Sequence, residues 1–306
     1  FKIILFFFSA ISIAQDVGFS NILEAVYPDK NNLKFYKNYS IDSPKNTIYN
    51  INLVVKSELN SVIKVDYKSD SFNKIIFSEV LDVPVEQNTG LDSRTERFKG
   101  NVNPYVIRRA PFRIFEIINP IKSSMLISKS NFSLINVKIP IDKNLNLDKH
   151  QIDFIIHIND QKFNLKLKIH IHDIIIPELE ESNFFYTNWF NLSKMEEYHQ
   201  LERWSTDWYI MLDKYAKLMA YGRQNCVKIP GELIYIENDE IFLNEERMMS
   251  FINVFLKYGF KYFESPHLLD RGKNDDWGNP ELVTKLRELD TIQMKVKKKL
   301  KILLIK

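Results

Sequence analysis

The sequence predicts a protein of two parts, an antiparallel β-sandwich followed by an α/β region built on parallel strands. Two observations support this prediction. Short runs rich in Ile, Val and Phe fill residues 45–176, and several alternate strictly with polar residues. Period-two runs separated by turn residues are typical of antiparallel sandwiches. After Pro177 the pattern changes to strands that alternate with amphipathic helices, which is the rhythm of parallel βαβ units.

The composition is that of a folded, globular chain. Its 306 residues are 45% hydrophobic and 26% charged, which is enough apolar material for two domains. The formal net charge of +3 is too small to favour binding to nucleic acid or to an acidic membrane surface. We therefore expect no nucleic-acid partner.

The first fourteen residues have the pattern of a secretory signal. Lys2 precedes an apolar run from Ile3 to Ile13, and small residues Ser12 and Ala14 stand at the positions before a cut. The run is too short for a membrane span, so no integral membrane segment is expected. The alternative is a buried N-terminal strand. We expect residues 1–14 to be a signal peptide and the protein to be exported, to the periplasm or the exterior.

The sandwich is expected to cover residues 15–177. Its clearest alternation runs from Asn164 to His172, where aliphatic and polar residues take turns over nine positions. The turn at 159–161 joins this run to the preceding one as a hairpin. The predicted strands are TIYNINLVVKS, SVIKVDYKS, FNKIIFSEVLDVPV, RIFEIINPI, FSLINVKIPI, HQIDFIIHIND and KFNLKLKIHIHDIII.

Cysteine and histidine give little sign of metal or disulfide chemistry. The one cysteine, Cys226, cannot form an internal bridge, and its apolar neighbours indicate an inert core residue. His170 and His172 point to the same face of a strand, but a zinc site needs a third ligand. A polar strand face is therefore the expected interpretation, with no metal.

The α/β region, residues 182–290, is predicted from five elements and a hairpin. Ser205 or Thr206 can cap one helix and Asn244 the other, while Gly222 and Gly259 mark their ends. The predicted elements are a strand at 182–190, a helix at 204–222, a strand at 226–230, a hairpin at 232–243, a helix at 244–259 and a strand at 260–265.

Several long stretches resemble glycoside hydrolase family 123. In the α/β region they are RWSTDWYIMLDKYAKLMAYGRQN followed by CVKIP, and FLKYGFKYFESPHLLDR; in the sandwich they are the stretch from 83 to 121 and the ending KIHIHDIIIP. The chain departs from the family where a Gly-Tyr turn is usual, since LDKHQIDF stands there instead. The resemblance implies a multi-domain fold, an antiparallel sandwich followed by a (β/α)₈ TIM-type barrel.

The resemblance also implies an activity, that of a β-N-acetylgalactosaminidase-like enzyme acting on glycans without metal or cofactor. In such enzymes the sugar's 2-acetamido carbonyl attacks the anomeric carbon. An adjacent Asp-Glu pair assists, because one carboxylate stays ionised beside positive charge while the other stays protonated as the acid. The dipeptide Asp239-Glu240 is a tempting match, but its hairpin context indicates a solvated loop.

The length after the sandwich predicts an incomplete barrel. Eight βα units need roughly 200 to 250 residues, and residues 182–306 supply about half of that. Asn279 and Pro280 predict the start of a third helix. We expect that a frameshift or early stop inside the barrel explains the basic aliphatic tail at 291–306. The alternative is a membrane-surface helix. No catalytic residue is assigned to this chain, which is expected to be inactive alone.

Residues at the ends of the predicted strands are candidates for glycan contact, because the carboxyl ends of barrel strands face the active site. The alternatives are core packing for Trp189, a loop hydrogen bond for His267 and an ion pair for Arg271. Arg108, Arg109 and Arg113 in the sandwich are expected to form ion pairs rather than a glycan patch. The competing function is a non-catalytic glycan-binding or cell-surface module. The predicted contact residues are Trp189, Glu264, His267 and Arg271, with Asn188 and 230–232 nearby.

Overall fold

A computed structural model shows the chain as two units, Phe1–Ile176 and Pro177–Lys306. It describes residues 14–29, 34–87, 106–121, 123–237 and 240–266, and the strand segments 269–271 and 282–284. The expected signal at 1–14 falls outside these residues except for Ala14, and the tail at 291–306 lies wholly outside. Both therefore stay predictions.

Two five-stranded sheets make up the first unit, in agreement with the predicted β-sandwich. Every pairing in them is antiparallel except one, between β2 and β10. One sheet has the order β1-β3-β8-β5-β6, and its strands are Asp16–Ser20, Thr47–Lys56, Phe132–Ile141, Ile76–Val85 and Phe112–Pro120. The other has the order β2-β10-β9-β4-β7, and its strands are Asn38–Lys45, Gln161–Ile175, Lys149–Ile158, Val62–Lys68 and Met125–Ile127.

Alternation along the strands builds the core between the sheets. On β10 Leu165, Leu167, Ile169 and Ile171 are buried, and the polar residues between them are exposed. On β9 every second residue is likewise buried: Ile152, Phe154, Ile156 and Ile158. Each fully buried aliphatic side chain stabilises the fold by about 1.5–3 kcal/mol relative to its exposed state. The period-two prediction for this unit is confirmed.

Three strands of the sandwich escaped the sequence-based prediction: β1, β2 and β7. In β2 only Ile41 and Ser43 are buried, so the segment has too few apolar residues to be recognised as a strand. It forms because the edge of β10 offers unpaired backbone groups, and such tertiary pairing overrides local propensity. β2 runs parallel to β10, with Asp42 directly opposite His170.

Three helices occur in the described part of the second unit. They are α1 (Leu192–His199), α2 (Thr206–Tyr221) and α3 (Glu245–Leu256), capped by the side chains of Asn191, Ser205 and Asn244. The two longer helices were predicted with their caps. α1 was not, because only Met195 of its eight residues is buried and so short a helix carries little periodic signal. Among the described residues, no helix is long and apolar enough to span a bilayer.

One parallel strand pair forms a βαβ unit around α3. Strand β11 (Cys226–Lys228) pairs in parallel with β14 (Tyr262–Glu264). Between β11 and α3, a turn of 3₁₀ helix at Gly231–Leu233 leads into the antiparallel hairpin β12 (Ile234–Glu237) and β13 (Glu240–Leu243). The predicted order of strand, hairpin, helix and strand is therefore confirmed. Within the described residues of the second unit this is the one parallel pair, so they do not form a closed barrel.

Two predicted elements of the second unit are wrong. Residues 182–190 form no regular strand: the segment is held beside β11 largely by side-chain amides, so no continuous ladder develops. Residues 282–284, expected in a third helix, form β16 (Leu282–Thr284), which pairs antiparallel with β15 (Leu269–Arg271). Pairing with a segment thirteen positions away outweighs the local helix signal of Asn279 and Pro280, which lie outside the described residues.

Candidate functional site

Two predicted contact residues, Trp189 and Glu264, meet at the ends of neighbouring chain segments. The indole Nε1 of Trp189 donates a hydrogen bond to Glu264 Oε2 over 3.3 Å. Lys228 completes the group, since its Nζ lies 5.1 Å from the centre of the Trp189 ring. Lys228 and Glu264 are register partners at the last positions of β11 and β14. We call Trp189, Lys228 and Glu264 the strand-end triad.

Two buried carboxamides place Trp189 beside those strand ends. Asn225 Oδ1 accepts a hydrogen bond from the Tyr186 backbone N–H at 2.9 Å, and its Nδ2 donates to the Phe184 carbonyl at 2.8 Å. Gln224 Nε2 donates to the carbonyls of Asn188 and Cys226 at 3.1 and 2.8 Å. Both carboxamides are almost fully buried. They replace the missing strand ladder and bring Trp189 to the end of β11.

The strand-end triad has the chemistry of a contact surface for a polar ligand. Trp189 is 67% exposed, so the alternative that it packs in the core is wrong. An indole face that stays open to solvent can stack on an apolar surface while its N–H remains bonded. Beside it, Glu264 offers carboxylate oxygens as acceptors and Lys228 offers donors. The group therefore combines a flat apolar face with hydrogen-bonding groups of both kinds.

Sequence reasoning missed Lys228 and pointed instead to residues 230–232, just past it. A lysine in a short apolar strand carries no signal of its own. What reveals it is the parallel register with Glu264, which follows from the pairing of β11 with β14. The predicted βαβ order could have indicated Lys228, because neighbouring parallel strands end at the same edge of a sheet. The last residues of the two strands therefore lie side by side.

Glu232, predicted near the site, instead belongs to an ionic network. Arg203 contacts the carboxylates of both Glu196 and Glu232, and Glu196 Oε1 also accepts from Trp208 Nε1 at 2.8 Å. Hydrogen bonding to Glu196, then to Glu232, raises the pKa of Arg203. Trp208 is fully buried. The network ties the turn after β11 to the start of α2, a structural role.

The remaining predicted contact residues cannot be placed at the site. His267 lies outside the described residues. Arg271 is the last residue of β15, whose backbone alone is described. The sequence-based roles of His267 and Arg271 therefore stay predictions.

Glu240 of the Asp239-Glu240 pair falls in the hairpin, as expected. Glu240 is the exposed first residue of β13 and stands opposite Glu237 in register. Asp239 lies outside the described residues.

An open groove lies between α1 and α2. Its first lining residue, Phe190, follows Trp189 directly in the chain. Its volume is about 660 Å³. The rings of Phe190 and Tyr215 lie 5.0 Å apart on its floor, and His199 Nε2 is 3.0 Å from the Tyr215 hydroxyl. The groove is lined by Phe190, Asn191, Lys194, Met195, Glu197, Tyr198 and Tyr215.

The thiol of Cys226 has the environment of an inert core residue. It is fully buried, and this burial raises the pKa of the Cys226 thiol above its ordinary value. A neutral, inaccessible thiol is a poor nucleophile.

Arginines of the sandwich form ion pairs within that unit. The Arg108 guanidinium donates to Asp29 Oδ1 at 2.9 Å and stacks over the Tyr27 ring at 4.5 Å. Arg113 contacts Asp82. The hydrogen bond from Arg108 lowers the pKa of Asp29. These pairs agree with the ion-pair interpretation.

Comparison with solved structures supports the fold. A family 123 glycoside hydrolase from Clostridium perfringens superimposes on 81% of this chain with a TM-score of 0.64, at 11% sequence identity. The match covers 46% of that enzyme, so the present chain spans about half of its length. A PapD-like domain of human CEP192 matches 53% of this chain and 87% of its own length, at 8% identity and a TM-score of 0.24. No family profile and no curated protein matches the sequence.

Proposed function

We propose that this chain is the sandwich and the beginning of the catalytic barrel of an exported glycoside hydrolase that acts on N-acetylgalactosamine-containing glycans. The observation behind this proposal is the likeness to a family 123 enzyme, which extends over 81% of the chain. At 11% identity the likeness concerns the fold. The activity is inferred from the site and from the sequence resemblance.

In this proposal the strand-end triad is one wall of the sugar pocket. Trp189 stacks against an apolar face of a sugar ring, and Glu264 accepts hydrogen bonds from its hydroxyls. Lys228, the register partner of Glu264, donates hydrogen bonds to other hydroxyls of the sugar. The positions fit, because ligands of parallel α/β folds bind beyond the carboxyl ends of the strands.

The bond-breaking step would be substrate-assisted. The 2-acetamido oxygen attacks the anomeric carbon while an acid protonates the leaving oxygen, and water then opens the oxazolinium ring. We assign neither carboxylate of that step to the described residues. Glu240 stands on the hairpin, on a different strand pair from the strand-end triad, so it is not our candidate for the acid.

A binding experiment tests the proposal on the full chain. Titration with N-acetylgalactosamine oligosaccharides should give saturable binding, weakened about tenfold or more by Trp189→Ala, as for a central aromatic contact. The matched control is Phe184→Ala, an aromatic of the same segment that is 76% exposed and should leave binding unchanged. Equal binding by both variants would remove the strand-end triad from the sugar pocket.

A hydrolysis assay tests the expectation that this chain is inactive alone, and the coding DNA separates an enzyme fragment from a non-catalytic glycan-binding module. With an aryl N-acetylgalactosaminide we expect no turnover by this chain. Turnover abolished by Glu240→Gln would show that the acid lies in the hairpin after all. Reading the coding DNA beyond Lys306 in three frames completes the test: further βα units with an Asp-Glu pair support the enzyme, and stop codons in every frame support the module.

A further inference from the structure

Two imidazoles and one carboxylate meet on the solvent face of the sandwich. His170 and His172 are exposed on β10, on either side of the buried Ile171. Asp42 lies on the neighbouring strand β2, directly opposite His170. Its Oδ1 is 3.1 Å from His170 Nδ1 and 2.8 Å from His172 Nε2. The third ligand that the sequence did not reveal is therefore present.

These three atoms have the spacing of a metal-binding set. All lie within 4.8 Å of one another. Around a tetrahedral zinc ion with bonds of about 2.0–2.1 Å, neighbouring ligand atoms are roughly 3.3 Å apart. Small rotations of the side chains therefore suffice to admit an ion in place of the two hydrogen bonds. The imidazole rings already lie side by side, with centres 4.4 Å apart.

The donor set selects the class of ion. Two imidazole nitrogens and one carboxylate suit zinc and related divalent transition metals, whereas magnesium and calcium prefer oxygen ligands. Asp42 Oδ1 supplies the carboxylate oxygen of this set, because it faces both imidazole nitrogens. Exposure of all three residues leaves room for water in the fourth position.

We propose that Asp42, His170 and His172 form a binding site for a divalent transition-metal ion such as zinc, which fastens the edge strand β2 to β10. Among the described strands, β2 is the outermost one of its sheet and pairs with β10 alone. The register between them shifts between Ile171 and Ile175, so the ladder is interrupted next to His172. A metal bridge at this point joins the two strands where their backbone pairing is weakest.

A positively charged lysine on the adjacent strand lowers the affinity of the site for a metal cation. Lys149 of β9 pairs in register with His170 on the side away from Asp42, and it is exposed. Its ammonium repels a bound cation. Lys149→Gln should therefore strengthen zinc binding, and unchanged or weaker binding by this variant would contradict the proposed position of the ion.

Calorimetric titration of the full, untagged chain with Zn²⁺ tests the proposal directly. We expect one site per chain, weakened at least tenfold by His172→Ala and by Asp42→Asn. Mg²⁺ should give no binding. Co²⁺ should give visible absorption bands that disappear in both variants. Zinc should also raise the thermal midpoint of the wild type by on the order of 5 °C when it is in large excess over its Kd, and leave that of Asp42→Asn unchanged.

The chain offers a matched control in His157→Ala. His157 faces Asp66 at 3.6 Å on the same sheet, with one imidazole in place of two. Because it lacks the second nitrogen ligand, its loss should leave zinc binding intact. The proposal fails if the wild type binds no zinc, or if His157→Ala weakens binding as much as His172→Ala does. Circular dichroism confirms that each surface variant keeps the fold.

Discussion

Trp189 and Trp208 illustrate how context gives one residue type two roles. Both indole N–H groups donate to a glutamate, Glu264 for Trp189 and Glu196 for Trp208. Trp208 is fully buried, whereas Trp189 is 67% exposed. Burial makes the bond of Trp208 part of the stability of the second unit, since a buried N–H group without an acceptor is costly. The indole of Trp189 lies largely at the surface, where a ligand can reach it.

Substitution by phenylalanine separates the two roles. Trp208→Phe should lower the free energy of unfolding of the second unit by about 1–3 kcal/mol, through a lost hydrogen bond and a small cavity. Trp189→Phe should change it by no more than about 0.5 kcal/mol, as for a surface residue. Urea unfolding followed by far-UV circular dichroism measures both. Similar losses for the two variants would mean that Trp189 is also a core residue.

At the scale of elements, side-chain amides replace a strand in the second unit. The segment 182–190 lies beside β11 without a regular ladder, and Asn225 supplies a donor and an acceptor to Phe184 and Tyr186. Asn225 is 1% exposed. The position of Trp189 near the end of β14 therefore depends on this amide.

Asn225→Ala should destabilise the second unit by about 2–3 kcal/mol, because it leaves a backbone N–H and a backbone carbonyl unpaired. The loss should also weaken any glycan binding through Trp189. Asn188→Ala is the matched control. The exposed amide of Asn188 donates to the Tyr186 hydroxyl, and its removal should lower the free energy of unfolding by less than about 1 kcal/mol. Chemical denaturation compares them, and equal losses would contradict the role given to Asn225.

Packing of α2 against the end of α3 includes a pH-sensitive contact. Hydrogen bonds from Lys257 and then Tyr258 lower the pKa of Asp213 below its ordinary value of 3.8. The folded state thus holds the Asp213 proton less tightly than the unfolded state does. The contact is fully stabilising above pH 3.8 and is lost as the pH falls through the lower folded pKa.

Replacement of Asp213 by Asn should therefore lower the free energy of unfolding at neutral pH and have no effect on it in acid. Lys257 is 60% exposed, so solvent screening limits the expected loss at pH 7 to less than about 1 kcal/mol. Urea midpoints measured from pH 7 down to below pH 4 should show a shallower acid dependence for Asp213→Asn than for wild type. Glu202→Gln removes an exposed carboxylate and serves as the control. An identical acid dependence in wild type and Asp213→Asn would contradict the assignment.

At the scale of the whole molecule, the two units have separate hydrophobic cores. The sandwich core contains strand residues such as Phe19, Phe154 and Ile169. The core of the second unit is built around Trp208, Phe251 and other helix residues. No residue is shared between these two clusters, so each unit can bury its own apolar surface.

Residues 15–176 expressed alone should therefore fold. The expected result is a β-type circular dichroism spectrum, a single cooperative unfolding transition, and zinc binding equal to that of the full chain. An isolated sandwich without cooperative unfolding would show that its stability depends on the second unit.

By itself, the sequence determined the alternation of the sandwich strands, the caps of α2 and α3, and the βαβ rhythm that places Glu264 at a strand end. These features are local, because a cap or a period of two is set by residues that are neighbours in the chain. Only the tertiary structure decided that Lys228 joins Trp189 and Glu264, and that Asp42 joins His170 and His172. Both groups depend on the parallel pairing of distant segments, β11 with β14 and β2 with β10. Such pairing follows from the packing of the whole sheet, and no short stretch of sequence encodes it.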